Sequence, residues 1–341
     1  MKIGARDFNL PPPETDREKQ IKKLMKKILL IAFSLSIVNL LITTETKAQT
    51  KADTSWKKGG FISLNLSQTQ YTNWAAGGEN SFALNGLSNT FYNYRKEKMY
   101  WENSLDLAYG LVKLNKFPIR KSDDKIELNS KFGKLASGKF YYSALLNFKS
   151  QFSPGYNYPD DSTVISQFLA PAYLTIALGM DYKPNDYFSM FLSPATGRFT
   201  IVNNETIADA GTYGNEAAVF DSSGTIITHG KKIRSEFGAS FNAKFQKDII
   251  KNVNLMAKLN LFNNYTDKVA ANRANIDVNF EALLAMKVNK YLSASIYANA
   301  IYDNDILVPV YSETNGVKTQ IGTGPRLQLK DVIGVGFAYK F

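Results

Sequence analysis

After residue 48 the chain consists almost wholly of segments in which apolar and polar side chains alternate one by one. Phe237, Ala239, Phe241, Ala243 and Phe245 share one phase, and Glu236, Gly238, Ser240, Asn242 and Lys244 the other. Val253, Leu255, Ala257, Leu259 and Leu261 oppose Asn254, Lys258 and Asn260; Ile276 to Val288 repeats the pattern against Asp277, Asn279, Glu281 and Lys287. Strand side chains point to opposite faces in turn, so each segment has one apolar and one wet surface. An amphipathic helix would need a period of about 3.6. Twelve strands are expected, near 59–71, 81–95, 98–114, 124–136, 138–152, 168–183, 186–203, 230–247, 251–263, 273–288, 290–303 and 326–341.

The connections supply an independent constraint. Those after strands 2, 4, 6, 8 and 10 are tight, as in Arg95-Lys96-Glu97, Ala136-Ser137-Gly138 and Asn289-Lys290. Those after the odd-numbered strands are longer, the longest near 153–167, 204–229 and 304–325. Short turns on one side and long loops on the other describe an antiparallel up-and-down meander closed into a transmembrane barrel, with short periplasmic turns and both termini on the periplasmic side. A soluble β-sandwich would also alternate, but it has no reason to sort its loops by length. Aromatic residues gather beside the tight turns: Tyr100-Trp101, Phe140-Tyr141-Tyr142, Tyr187-Phe188 and Tyr291 after them, Phe91, Tyr92, Tyr94, Tyr182 and Phe245 before them. Tyr and Trp favour a membrane–water interface, so these positions are expected to form a girdle.

The N-terminus reads as an export signal. Lys22, Lys23, Lys26 and Lys27 precede an apolar run from Ile28 to Ile42, and Thr46-Lys47-Ala48 offers a cleavage site before Gln49. This run is fifteen residues long, short for a spanning helix, which takes about 20. Residues 1–48 are therefore read as a signal peptide with an upstream extension (translation starting at Met25), 49–58 as a short periplasmic segment and 59–341 as the barrel. At the other end, Val335, Phe337, Tyr339 and Phe341 share one face of a terminal strand that resembles the sorting signal read by the barrel-assembly machinery. The expected fold class is thus an all-β, twelve-stranded barrel of the outer membrane.

Composition narrows the chemistry. With no cysteine and one histidine, disulfides, thiolate catalysis and a multi-His metal site are excluded, and neither cofactor nor metal is expected. The net charge is +11, of which residues 1–48 contribute +4. The remaining excess shows no basic cluster with an aromatic platform, so nucleic acid is not an expected partner. His229 sits in a long outer loop with no serine elbow beside it, which disfavours an enzyme.

Several stretches resemble an uncharacterised Bacteroidetes outer-membrane β-barrel family catalogued as a domain of unknown function. They are Asn73–Ser81 (NWAAGGENS), Ala170–Pro184, Phe191–Phe199 (FLSPATGRF), Asn275–Asn279 and Ile301–Ile306. The resemblance implies location and fold, and no activity.

The polar phase of the strands nominates a lumen: Glu102, Asp106, Glu127, Lys131, Lys149, Glu236, Lys244, Lys258, Asp277, Glu281 and Lys287. Charges of both signs either line a water path for small polar solutes or pair across a narrow interior and hold it shut. A narrow or gated channel is the leading expectation, a non-conducting structural or assembly component of the envelope the alternative, and an enzyme third. Lys113, Lys116, Arg120, Lys121 and Lys125 flank the third connection, either as contacts for lipopolysaccharide phosphates or as a solvated loop. Three further motifs carry two readings each. Trp74–Glu79 is a Gly-Gly turn or a plug; Asp303-Asn304-Asp305 is a turn or part of a Ca²⁺ site; Ser193–Arg198 reads as a bulge or strand break that turns Arg198 inward.

Overall fold

The computed structural model describes residues 55–69, 80–114, 117–289, 292–314 and 317–341. The signal peptide reading, most of the 49–58 segment, the Trp74–Glu79 motif and Lys116 lie outside the described residues. Twelve antiparallel strands close one barrel: β1 (Trp56–Thr69), β2 (Ser81–Lys96), β3 (Met99–Leu114), β4 (Arg120–Ser137), β5 (Phe140–Ser150), β6 (Ala172–Asn185), β7 (Phe188–Ile201), β8 (Ile233–Ile250), β9 (Val253–Asn264), β10 (Asp277–Lys287), β11 (Leu292–Tyr302) and β12 (Gln328–Lys340). Each strand pairs with its neighbours in sequence, and β1 pairs with β12 to complete the circle. Paired backbone N–H groups join Gly60 and Phe341 in both directions at 3.0 and 3.1 Å, so the terminal residue itself takes part in closure. Closure removes the sheet edges that a membrane interior does not tolerate.

Tight turns follow the even strands. Gly138 and Asn252 adopt positive φ (57° and 67°), and so does Glu97 (48°), as two-residue hairpins with the right-handed strand twist demand. Longer connections follow the odd strands and carry small structures of their own. The segment after β7 holds a helix, Glu205–Asp209, capped by the Asn204 side chain, and a hairpin of Val219–Phe220 with Ile226–Thr228. Ile207 and Ala208 of that helix pack with Ala170 and Val202 in a small apolar cluster.

The outer wall is apolar. Ile62, Leu64 and Leu66 on β1, Leu128 and Phe132 on β4, and Ile176, Leu178 and Met180 on β6 are exposed. Val335, Phe337, Tyr339 and Phe341 project the same way from the last strand, with Phe337 62 % exposed. A wall of this kind is stable only against lipid.

Two expectations need correction. Tyr100 is not part of an aromatic girdle: it is 1 % exposed and faces the lumen, while its neighbour Trp101 faces outward near Trp56. Tyr141 likewise faces Tyr100, edge to face at 5.1 Å, between outward Phe140 and Tyr142. A period of two allows only alternate members of an aromatic run to meet lipid. The basic cluster at the third connection is also not one surface patch. Strand β4 starts at Arg120, four residues ahead of the expected 124, and draws Arg120 and Lys121 into the wall, where Lys125 already belonged. Lys121 pairs with Asp124 at 3.0 Å, Arg120 lies over the rings of Phe117 and Tyr158, and Lys125 points into the lumen. Of the described members, Lys113 alone stays exposed.

Pro194 lacks a backbone donor, and a register shift at Ser193–Thr196 accommodates it. The Ser193 hydroxyl lies 2.7 Å from the Leu178 carbonyl and 3.0 Å from that of Ala195, while Thr196 bonds Ser193 and Ser240. These hydroxyls satisfy backbone groups that the interrupted ladder leaves free. The extra residue also sets Arg198 on the lumenal face.

Candidate functional site: a lumen crossed by ion pairs

The strands bring the polar phase together inside the barrel in three levels. Near the long loops, Arg198 grips Glu236 through two nitrogens at 2.8 and 2.7 Å and reaches Asp277 with a third at 2.7 Å. Arg234 bonds the same Glu236 at 2.8 Å and pairs with Asp305. Forked guanidinium–carboxylate contacts are among the stronger polar interactions a protein makes. Gly214 (φ 75°) closes over this level: a Cβ there would fall 2.2 Å from the Arg234 guanidinium, so only glycine lets the loop approach so near. The Asp303 carboxylate accepts the backbone N–H of Asp305 at 2.9 Å, the bond of a turn.

In the middle of the barrel, Lys125 lies 2.7 Å from Glu127 and 3.5 Å from Glu281. Glu127 also meets Lys149 at 3.3 Å and the Asn147 amide at 3.0 Å, and the Tyr297 hydroxyl donates to Glu281 at 3.2 Å. Lys258 faces Asp106 at 3.7 Å, and Asn89 bonds Asp106 from the adjacent strand. Lys125–Glu281 joins β4 to β10, and Lys258–Asp106 joins β9 to β3. In a ring of twelve, strands six apart are diametrically opposed, so both pairs cross the full width of the lumen.

Near the tight turns, Lys183 pairs with Glu102 and lies 3.7 Å from Asp181, and Lys131 lies 2.9 Å from Asp181. The Tyr100 hydroxyl donates to Asp181 and sits 2.9 Å from the Ser143 hydroxyl. Its ring lies flat on Gly133, where a Cβ would collide with the ring at 2.2 Å. Lys244 and Lys287 are on the lumenal phase of β8 and β10 and are exposed.

Nine of the eleven nominated residues form ion pairs, and Lys244 and Lys287 form none among the described residues. Residues not nominated for the lumen from sequence complete the network: Arg234, Tyr100, Tyr297, Lys183 and Asp181. So do the amide pairs Asn129–Asn147 (2.6 Å), Asn242–Asn260 (2.7 Å) and Asn279–Asn299 (2.7 Å). Asparagine is disfavoured in strands, and its recurrence on one phase of the alternation was the available signal.

His229 lies in the loop after β7, its ring nitrogens 3.0 Å from Asp209 and 3.3 Å from Glu205. These three are the one group of His, Asp and Glu among the described residues with ligand-like spacing. All three lie in the connection after β7.

Solved barrels match the chain at low identity and low TM-score. An outer membrane channel from Pseudomonas putida F1 is 11 % identical, with a TM-score of 0.37, covering 86 % of this chain and 100 % of that one. The NanC porin is 9 % identical with a TM-score of 0.34, covering 82 % and 99 %. The translocator domain of the autotransporter NalP from Neisseria meningitidis is 8 % identical with a TM-score of 0.31, covering 94 % and 98 %. No curated protein sequence matches the chain. Residues 66–156 match the model of a family described as "Protein of unknown function (DUF3078)". Closure of all twelve strands, an apolar outer wall and a charged interior give this chain the fold of an outer-membrane β-barrel.

Proposed function

We propose that this protein is a narrow, gated channel of the outer membrane for small polar solutes, closed at rest by ion pairs across its lumen. The observation that carries the reading is the pair of ties Lys125–Glu281 and Lys258–Asp106 between opposed strands. Both are made by the tips of long, flexible lysine side chains, at 3.5 and 3.7 Å. Such ties exchange partners at little cost, unlike a hydrophobic plug. Charged groups on every level keep the path wettable once the ties release.

The same ties support a second reading, a barrel that never conducts and serves the envelope as a structural component. Planar-bilayer recording of the purified protein separates the two. Discrete steps with long closed intervals are the result expected of a gated channel. A correctly folded barrel, shown by a heat-shifted gel band, that gives no steps at any applied voltage overturns it in favour of the structural component.

A further inference from the structure

Most charged groups that the strands bring into the lumen are paired. Of the eleven nominated ones, Lys244 and Lys287 form no ion pair among the described residues; Lys287 stands at the turn end of β10 and Lys244 lies deeper, on β8. Among the described residues it makes neither an ion pair nor a hydrogen bond, and its side chain is exposed inside the barrel, two residues beyond Asn242 toward the tight turn. Directly opposite it across the β8–β9 ladder stands Lys258, on the same face. Cross-strand neighbours have Cβ atoms about 5 Å apart, and like charges in that relation repel. The other charges that reach the Lys244 ammonium are Glu102, Asp106 and Lys131. Both acids are already engaged, Glu102 with Lys183 and Asp106 with Lys258 and Asn89.

A lysine pair on facing strands, one ammonium free and the other held only at 3.7 Å, is costly unless an anion completes it. We propose that Lys244 and Lys258 form a binding station for a small oxyanion, a carboxylate or phosphate, in the periplasmic half of the lumen. Two ammonium groups at this spacing bracket one oxyanion with charge-assisted hydrogen bonds. The station rests on the channel reading for its consequence, though not for its existence. An oxyanion bound there competes with Asp106 for Lys258. The solute thereby loosens one of the two ties that close the lumen.

The test is a titration of the purified protein in detergent with inorganic phosphate and then acetate, following the signals of ¹³C-methylated lysines, which keep their charge. The expected result is a saturable shift of the Lys244 and Lys258 signals that weakens at least about tenfold in Lys244→Gln. It should survive in Lys244→Arg and in Lys139→Gln, a periplasmic-turn control. A linear, non-saturating shift, or an unchanged affinity in Lys244→Gln, overturns the station. Should Lys244→Gln fail to fold, the wild-type titration and Lys244→Arg still decide, because a missing saturable shift in either is fatal. A saturable shift in a barrel that never conducts overturns the channel and keeps the station. A conducting barrel without the shift does the reverse.

Discussion

Lys125 on β4 and Glu281 on β10 meet at 3.5 Å across the full width of the barrel, although 156 residues separate them in the chain. Neither strand touches the other through its backbone, since five strands intervene on either side. The contact is therefore a property of the closed ring. Replacing Glu281 with Gln removes the charge and keeps the shape. The expected outcome is an open probability raised about fivefold, equivalent to about 1 kcal/mol for a partly hydrated pair. Single-channel recording of the variant beside wild type checks this; an unchanged or lower open probability counts against the gate.

Glu236 anchors two arginines at once, and its side chain is 2 % exposed. Glu236→Gln leaves Arg198 with Asp277 and Arg234 with Asp305, but strips the shared centre. A loss of about 3 kcal/mol is expected, as for breaking a buried pair from one side. Urea titration of the folded barrel in lipid vesicles should show the lowered midpoint with an unchanged slope.

Tyr100 covers Gly133 and reaches two strands beyond it, to Ser143 and Asp181. Tyr100→Phe keeps the ring over the glycine and deletes a hydroxyl that bonds a carboxylate, for an expected cost of about 1.5–3 kcal/mol. Gly133→Val should cost more, because the ring has no room to move aside. Comparing the two variants by thermal gel shift distinguishes the hydrogen bond from the seat: equal losses would refute the ranking.

The outer loop after β7 should respond to pH. The hydrogen bond to Asp209, followed by the charge of Glu205, raises the His229 pKa. The backbone N–H of Gly230, followed by His229, lowers that of Asp209. Stability from His229 is complete below its unfolded value, about 6.5, and is lost as pH rises through the raised folded value. Stability from Asp209 is complete above its unfolded value, about 3.9, and is lost as pH falls through the depressed folded value. The loop is thus held best between about pH 4 and pH 6.5. Limited proteolysis should cut it faster at about pH 8.5 than at about pH 6, relative to His229→Gln, in which that difference disappears.

Much of the architecture was legible because its cause is local. The strand observed at Ser81–Lys96 was expected at 81–95, and that at Val253–Asn264 at 251–263. Alternation fixes which residues face lipid, and turn length fixes which end they belong to. The lumen-facing phase, from Glu102 to Lys287, followed from the same periodicity. The bulge before Arg198 was legible in Pro194, which cannot donate to a ladder.

Pairing inside the barrel was not legible. The inward phase of Lys125 was readable from Glu127 two residues on, but its reach across the barrel to Glu281 was not. Tyr100 shares the phase of Glu102, so its inward facing was readable; its bond to Asp181, two strands past Gly133, was not.

By itself the sequence determined the strands, the apolar wall and the inventory of charges placed inside, since each depends on the nearest one or two residues. Tertiary structure alone decided which charges meet. Closing twelve strands sets the distance and register between opposite walls, and that geometry turns Lys125 and Lys258 into ties across the lumen while leaving Lys244 without a partner among the described residues.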